Sequence, residues 1–68
     1  MIQQHMGFPA PQIIGQFRTF GLLGPAYQVL GPIKQIASGD WLLRVHVVET
    51  GEEIEYPCVQ ALSDPEIH

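Results

Sequence analysis

Few residues in this chain are of types that do chemistry, and their spacing limits what each could do. Glu53 and Glu55 alternate in "EEIEYP", so on a strand they share one face about 7 Å apart. Paired carboxylates act as acid and base where a cleft perturbs their pKa values. An open hairpin face offers no cleft, so a solvated acidic face is the expectation. His5 and His68 sit near the termini and His46 lies between them, without the i, i+2 or i, i+4 spacing of metal ligands. Joining His46 to Cys58 supplies two ligands only. Cys58 follows Pro57 amid acidic residues, whereas a reactive thiolate needs a base and an electropositive niche. A packed, inert thiol is expected there. The glycines of "GLLGP" lack the Lys and Ser/Thr of a phosphate loop. No catalytic residue, metal ligand or cofactor site is assigned.

The elements that must position these groups read as strands. Residues 1–12, "MIQQHMGFPAPQ", hold two prolines that disfavour helix. A flexible N-terminal tail is expected there, with residues 13–68 forming one small domain. "IIGQFRTFG" (13–21) suits a first strand, and "GLLGPA" (21–26) a turn. "AYQVLGPIKQIA" (26–37) reads as a longer strand that must bulge or bend at Gly31-Pro32, because proline donates no ladder hydrogen bond. "WLLRVHVVE" (41–49) alternates strictly: Trp41, Leu43, Val45 and Val47 form an apolar face, Leu42, Arg44, His46 and Val48 a mixed one. Thr50-Gly51 predicts a two-residue hairpin loop, followed by "EEIEYP" as the returning strand. That register puts Val47 opposite Ile54, Val45 opposite Tyr56, and His46 opposite Glu55. "CVQALSDPE" (58–66) predicts one or two helical turns that end before Pro65.

The chain has 68 residues, enough for one thin-cored domain. With one cysteine it has no internal disulfide, which suggests a reducing compartment. Charged residues make up only 15%, below the usual quarter, which leaves room for an apolar contact patch. The net charge of −4 is uneven. Residues 1–40 carry Arg18, Lys34 and Asp40, a balance of +1. Residues 41–68 set Arg44 against Glu49, Glu52, Glu53, Glu55, Asp64 and Glu66, a balance of −5. Such a half disfavours nucleic-acid backbones and anionic membranes. No apolar run reaches the roughly 20 residues of a bilayer span, and no basic-then-apolar leader opens the chain. The expected location is cytoplasmic.

"FGLLGPAYQVLGP", "VVETGEEIEYP" and the final "SDPE" resemble a family of short bacterial proteins defined only as a domain of unknown function. The resemblance covers about residues 15–66. It implies a small, mainly β, intracellular bacterial protein and transfers no catalytic residue. Small proteins of this kind are often encoded beside a partner, and by that analogy the resemblance implies an adaptor or antitoxin-like role.

The fold expected is a small, strongly bent antiparallel sheet of four to five strands, closing toward an SH3-like barrel, with a short C-terminal helical turn. Its core is expected to hold Phe17, Tyr27, Val29, Ile33, Ile36, Trp41, Leu43, Val45, Val47, Ile54, Tyr56, Val59 and Leu62. The function expected is a non-enzymatic protein-interaction module. It would bind another protein through a sheet edge or the acidic hairpin face, with Arg44, His46, Glu53, Glu55 and Trp41 as contact residues. Trp41 reads as core or as an interface anchor. A homodimer is the other partner reading, and a nucleic-acid-binding regulator on a small barrel is the alternative function.

Overall fold

The computed structural model describes residues 7–68. Its elements run β1 (Phe17–Thr19), β2 (Ala26–Gln35), β3 (Trp41–Val47), β4 (Glu53–Pro57), α1 (Cys58–Ser63) and β5 (Glu66–Ile67). A 3-10 turn at Pro11–Ile13 precedes them. All strand pairings are antiparallel, in the order β4-β3-β2-β1-β5.

The mainly β architecture matches the sequence, but the sheet is open and forms no SH3-like barrel. β4 and β5 are its two edges. The chain between them crosses the inner face as α1, packed against β3 and β4, so helix rather than strand covers the core. β5 itself was not foreseen. It pairs with β1 immediately after Pro65.

β2 bends where proline requires it. Its ladder with β3 slips between Val29 and Gly31 and again between Pro32 and Lys34. β3 alternates as its residues dictate, with Trp41, Leu43, Val45 and Val47 all buried. The first strand is shorter than 13–21, because Pro11 starts the 3-10 turn and pairing begins only after Gly15 and Gln16 bridge to Val29.

The β3–β4 hairpin differs from the expected register by two residues. Val45 faces Ile54, His46 faces Glu53, and Arg44 faces Glu55. The loop is four residues, 48–51, closed by Gly51 N–H to Val47 O at 2.8 Å and Val47 N–H to Glu52 O at 2.7 Å. A two-residue Thr50-Gly51 loop would need positive φ at β-branched Thr50, and among the described residues only glycines have it. Val48 N–H goes to Ala26 O of the neighbouring strand instead. A shift of two leaves every side chain on its expected face.

The core extends further toward the N-terminus than the sequence suggested. Phe8 and Ala10 are buried, and the Phe8 ring meets Trp41 edge-on at 5.6 Å. The folded unit therefore takes in Phe8, not only residues from 13 onward. Residues 1–6 of the expected tail, His5 among them, lie outside the described residues. Residues 7–10 form no regular element and run as an irregular strap that brings the Phe8 ring edge-on to Trp41.

Four expected core residues are exposed. Phe17 points to the outer face of the sheet, and Ile54 points inward but at the edge. Val59 and Leu62 face solvent because six-residue α1 buries only its Cys58 and Ala61 side, three apart.

Candidate functional site

The inner face carries a polar cluster that ties the C-terminal segment to the sheet. Tyr27 of β2 and Tyr56 of β4 both donate their hydroxyls to Asp64 Oδ2, at 2.6 and 2.8 Å. Gly21 N–H donates to Asp64 Oδ1 at 3.0 Å. The Arg18 guanidinium donates to the carbonyls of Ala61 and Asp64, at 3.0 and 2.7 Å, and to Gln16 Oε1. It thereby satisfies backbone acceptors at the end of a helix too short to satisfy them itself. Phe20 stacks on Tyr27 at 4.4 Å and meets Tyr56 edge-on at 5.0 Å, closing the cluster against water.

These contacts set the titration of each group. Burial works to raise the Asp64 carboxyl, but the bonds from Tyr27, Gly21 and Tyr56 and the Arg18 charge hold it below its ordinary value. Burial, then the bond to Asp64 and its charge, pushes Tyr56 up to about 12. The same causes raise Tyr27 further. Every buried side-chain polar atom among the described residues has a partner, and no cavity opens beside the cluster there. This arrangement is chemically a latch: its donors and acceptors all face one another.

Sequence reasoning missed the latch, although signals existed. Arg18 sits inside the apolar stretch "IIGQFRTF", and a cation buried there must be bonded. Tyr27 and Tyr56 both fall on inner-facing positions, where a buried hydroxyl needs an acceptor.

The predicted contact residues separate into two groups. Arg44, His46, Glu53 and Glu55 share the outer face, as two cross-strand pairs. One row runs across all five strands there: Ile67, Phe17, Gln28, His46, Glu53. Trp41 lies on the opposite face, buried against Phe8, and shares no surface with the other four. Cys58 is buried, and burial together with the Asp40 charge raises its thiol pKa. His46 and Cys58 do not meet, since Glu53 pairs with His46 at the far end of β4. No group of three His, Cys, Asp or Glu among the described residues could hold a metal.

A further feature lies in the segment expected to be a turn. The β1–β2 connection displays Leu22 and Leu23 at 87% and 99% exposure. It lies beside the β3–β4 loop, to which Ala26 O is bonded through Val48 N–H. No helix among the described residues is long and apolar enough to cross a membrane.

No curated protein matches the chain. One family model matches residues 6–68, a longer span than the resemblance noted from sequence, and it takes in the Phe8 strap. The chain belongs to that family, described as a family of unknown function (DUF5397).

Proposed function

We propose that this protein is a small, non-enzymatic interaction module, an adaptor or antitoxin-like partner of another protein in the cytoplasm. One observation carries the reading. β4 is an outer strand of an open sheet, with one side unpaired among the described residues and with acidic Glu53 and Glu55 exposed on its outer face. A strand of the partner adds to this edge through main-chain hydrogen bonds, and its Lys or Arg side chains meet the glutamates. Arg44 and His46 stand opposite those glutamates and complete the face. The short β5 edge, only Glu66–Ile67, offers much less.

The nucleic-acid reading has less support. Of the three Lys and Arg residues, Arg18 is buried and bonded to carbonyls, which leaves Lys34 and Arg44. Two exposed cations form no phosphate-tracking stripe.

The test is a pull-down from lysate of the source cell with the wild-type chain and with Glu53→Lys/Glu55→Lys, read by mass spectrometry. The expected result is a protein enriched by the wild type and lost with the variant. Its purified form should then shift the amide NMR signals of β4. Enrichment of the chain alone would replace this reading with self-association.

A further inference from the structure

The turn between β1 and β2 places two adjacent leucines almost wholly in water, and hydrogen bonds close the turn at its base. Phe20 N–H bonds Pro25 O at 3.1 Å, closing the turn. Thr19 Oγ1 donates to Gly21 O at 2.6 Å. Gly21 N–H is bonded to buried Asp64. A Cβ at Gly24 would overlap the Phe20 carbonyl oxygen, so only glycine lets the chain turn back so tightly. These bonds fix the base of the turn that carries the leucines. Fixing a contact residue before binding removes the cost of ordering it on binding.

The surroundings of the leucines state the chemistry of the occupant. The β3–β4 loop lies at the same end of the sheet and carries Val48, Glu49 and Glu52, all exposed. No exposed Lys or Arg among the described residues shares this end. Lys34 pairs with Leu42 at the opposite end of the sheet, and Arg44 lies mid-strand. The end is therefore an apolar projection flanked by negative charge. A second copy would bring acidic groups against acidic groups, and an anionic lipid surface would be repelled in the same way.

We infer that Leu22 and Leu23, with Val48, Glu49 and Glu52, form a docking end for a protein surface that has an apolar strip flanked by Lys or Arg, as a basic amphipathic helix has. This rests on the reading of the chain as an interaction module but moves the principal anchor from the β4 edge to the loop end. The leucines supply the buried contact, and the glutamates orient it and exclude acidic competitors.

The experiment titrates the isotope-labelled full chain with defined probes, read by amide NMR. The first probe is a synthetic helical peptide with leucines along one face and lysines beside them. The controls are the same peptide with glutamate for lysine, a lysine peptide with glutamine for leucine, and phosphatidylcholine–phosphatidylglycerol vesicles. The expected result is saturable shifts at Gly21–Gly24 and 48–52 with the first peptide alone. Leu22→Ser/Leu23→Ser should weaken binding about tenfold or more, the scale of losing one well-buried anchor. Glu49→Gln/Glu52→Gln should weaken it less and remove most of its salt dependence. Both variants change exposed side chains only, and their unchanged spectra elsewhere would confirm the fold. No shift with the first peptide would overturn the inference, as would equal binding by the leucine-free peptide. Shifts confined to β4 would overturn it while leaving the interaction module standing. Binding to vesicles alone would overturn both.

Discussion

Asp64 and the hairpin pair Glu53 and Glu55 carry the same functional group in opposite surroundings. Asp64 is 8% exposed, and its two oxygens accept two tyrosine hydroxyls and a backbone N–H. Glu53 and Glu55 lie on an outer strand in water. A buried carboxylate must be surrounded by donors, and removing it strands all of them at once. An exposed carboxylate is already satisfied by water, so it remains free to meet a partner. The contrast separates what holds this fold together from what it can offer outward.

The widest test of that contrast is Asp64→Ala. It leaves two hydroxyls and the Gly21 N–H without their acceptor. The expected loss is about 3–5 kcal/mol, the range for breaking a buried charged network. At roughly 0.05–0.15 kcal/mol per residue, a chain of this size has about 3–10 kcal/mol in all, so the variant should lose a large share of its stability, read as a much lower urea midpoint by circular dichroism. Arg18→Ala comes next. It leaves the Ala61 and Asp64 carbonyls without their charged donor, and about 2–3 kcal/mol should be lost in urea unfolding. An unchanged midpoint in either case would remove the latch from the account of stability.

Acid should act as a reversible and milder version of the same change. The folded Asp64 carboxyl titrates below its ordinary value of 3.8, so the folded state binds fewer protons than the unfolded one. Its contribution is complete above pH 3.8 and is lost as the pH falls through the folded value. Urea midpoints measured downward from pH 5 should fall below pH 4. In Asp64→Asn that part of the fall should be missing, and a wild-type slope in the variant would assign it to other carboxylates.

The two kinds of carboxylate were not equally legible in the sequence. Glu53 and Glu55 stand out because alternation along a strand is a local signal, and β3 was read correctly for the same reason. The bulged β2 followed from Gly31-Pro32 alone. Asp64 could not be read this way. Its partners lie 43 and 37 residues away at Gly21 and Tyr27, and only the path of α1 over the inner face brings them together. That same path kept the sheet from closing, and no periodicity in "CVQALSDPE" says which face a six-residue helix will cover. The hairpin register departs by two from the one Gly51 suggests, because a two-residue loop would need positive φ at Thr50. Phe8 is not legible as core, because an irregular strap carries no repeating pattern.

Smaller effects sharpen the contrast within the latch itself. Tyr56→Phe removes one of two hydroxyls on Asp64 Oδ2 while keeping the ring against Phe20. Tyr27 still donates to that oxygen, so about 1 kcal/mol should be lost. The Tyr56 hydroxyl titrates at about 12 against an ordinary 10.0, so the folded state retains its proton longer. Its contribution is present below pH 10 and fades as the pH rises toward 12. Wild type and variant should therefore converge in alkali. A gap that stays constant to that pH would mean that the hydroxyl bond is not what the substitution removed.

Glu53→Gln/Glu55→Gln should change stability least. Both side chains are exposed, and their cross-strand partners His46 and Arg44 are pairs of the surface kind. Exposed neighbours in ladder register contribute at the low end of about 0.2–1 kcal/mol, weakened by salt. The urea midpoint should move within about 0.5 kcal/mol, and the difference should shrink further in salt. Binding is where these residues should register, because a partner's cations would lose two charges at once. A variant that folds like the wild type and no longer recruits the wild type's partner would place function on the outer face and stability on the inner one. A variant that unfolds would mean that Glu53 and Glu55 also hold β4 on the sheet, and the division between the two kinds of carboxylate would fail.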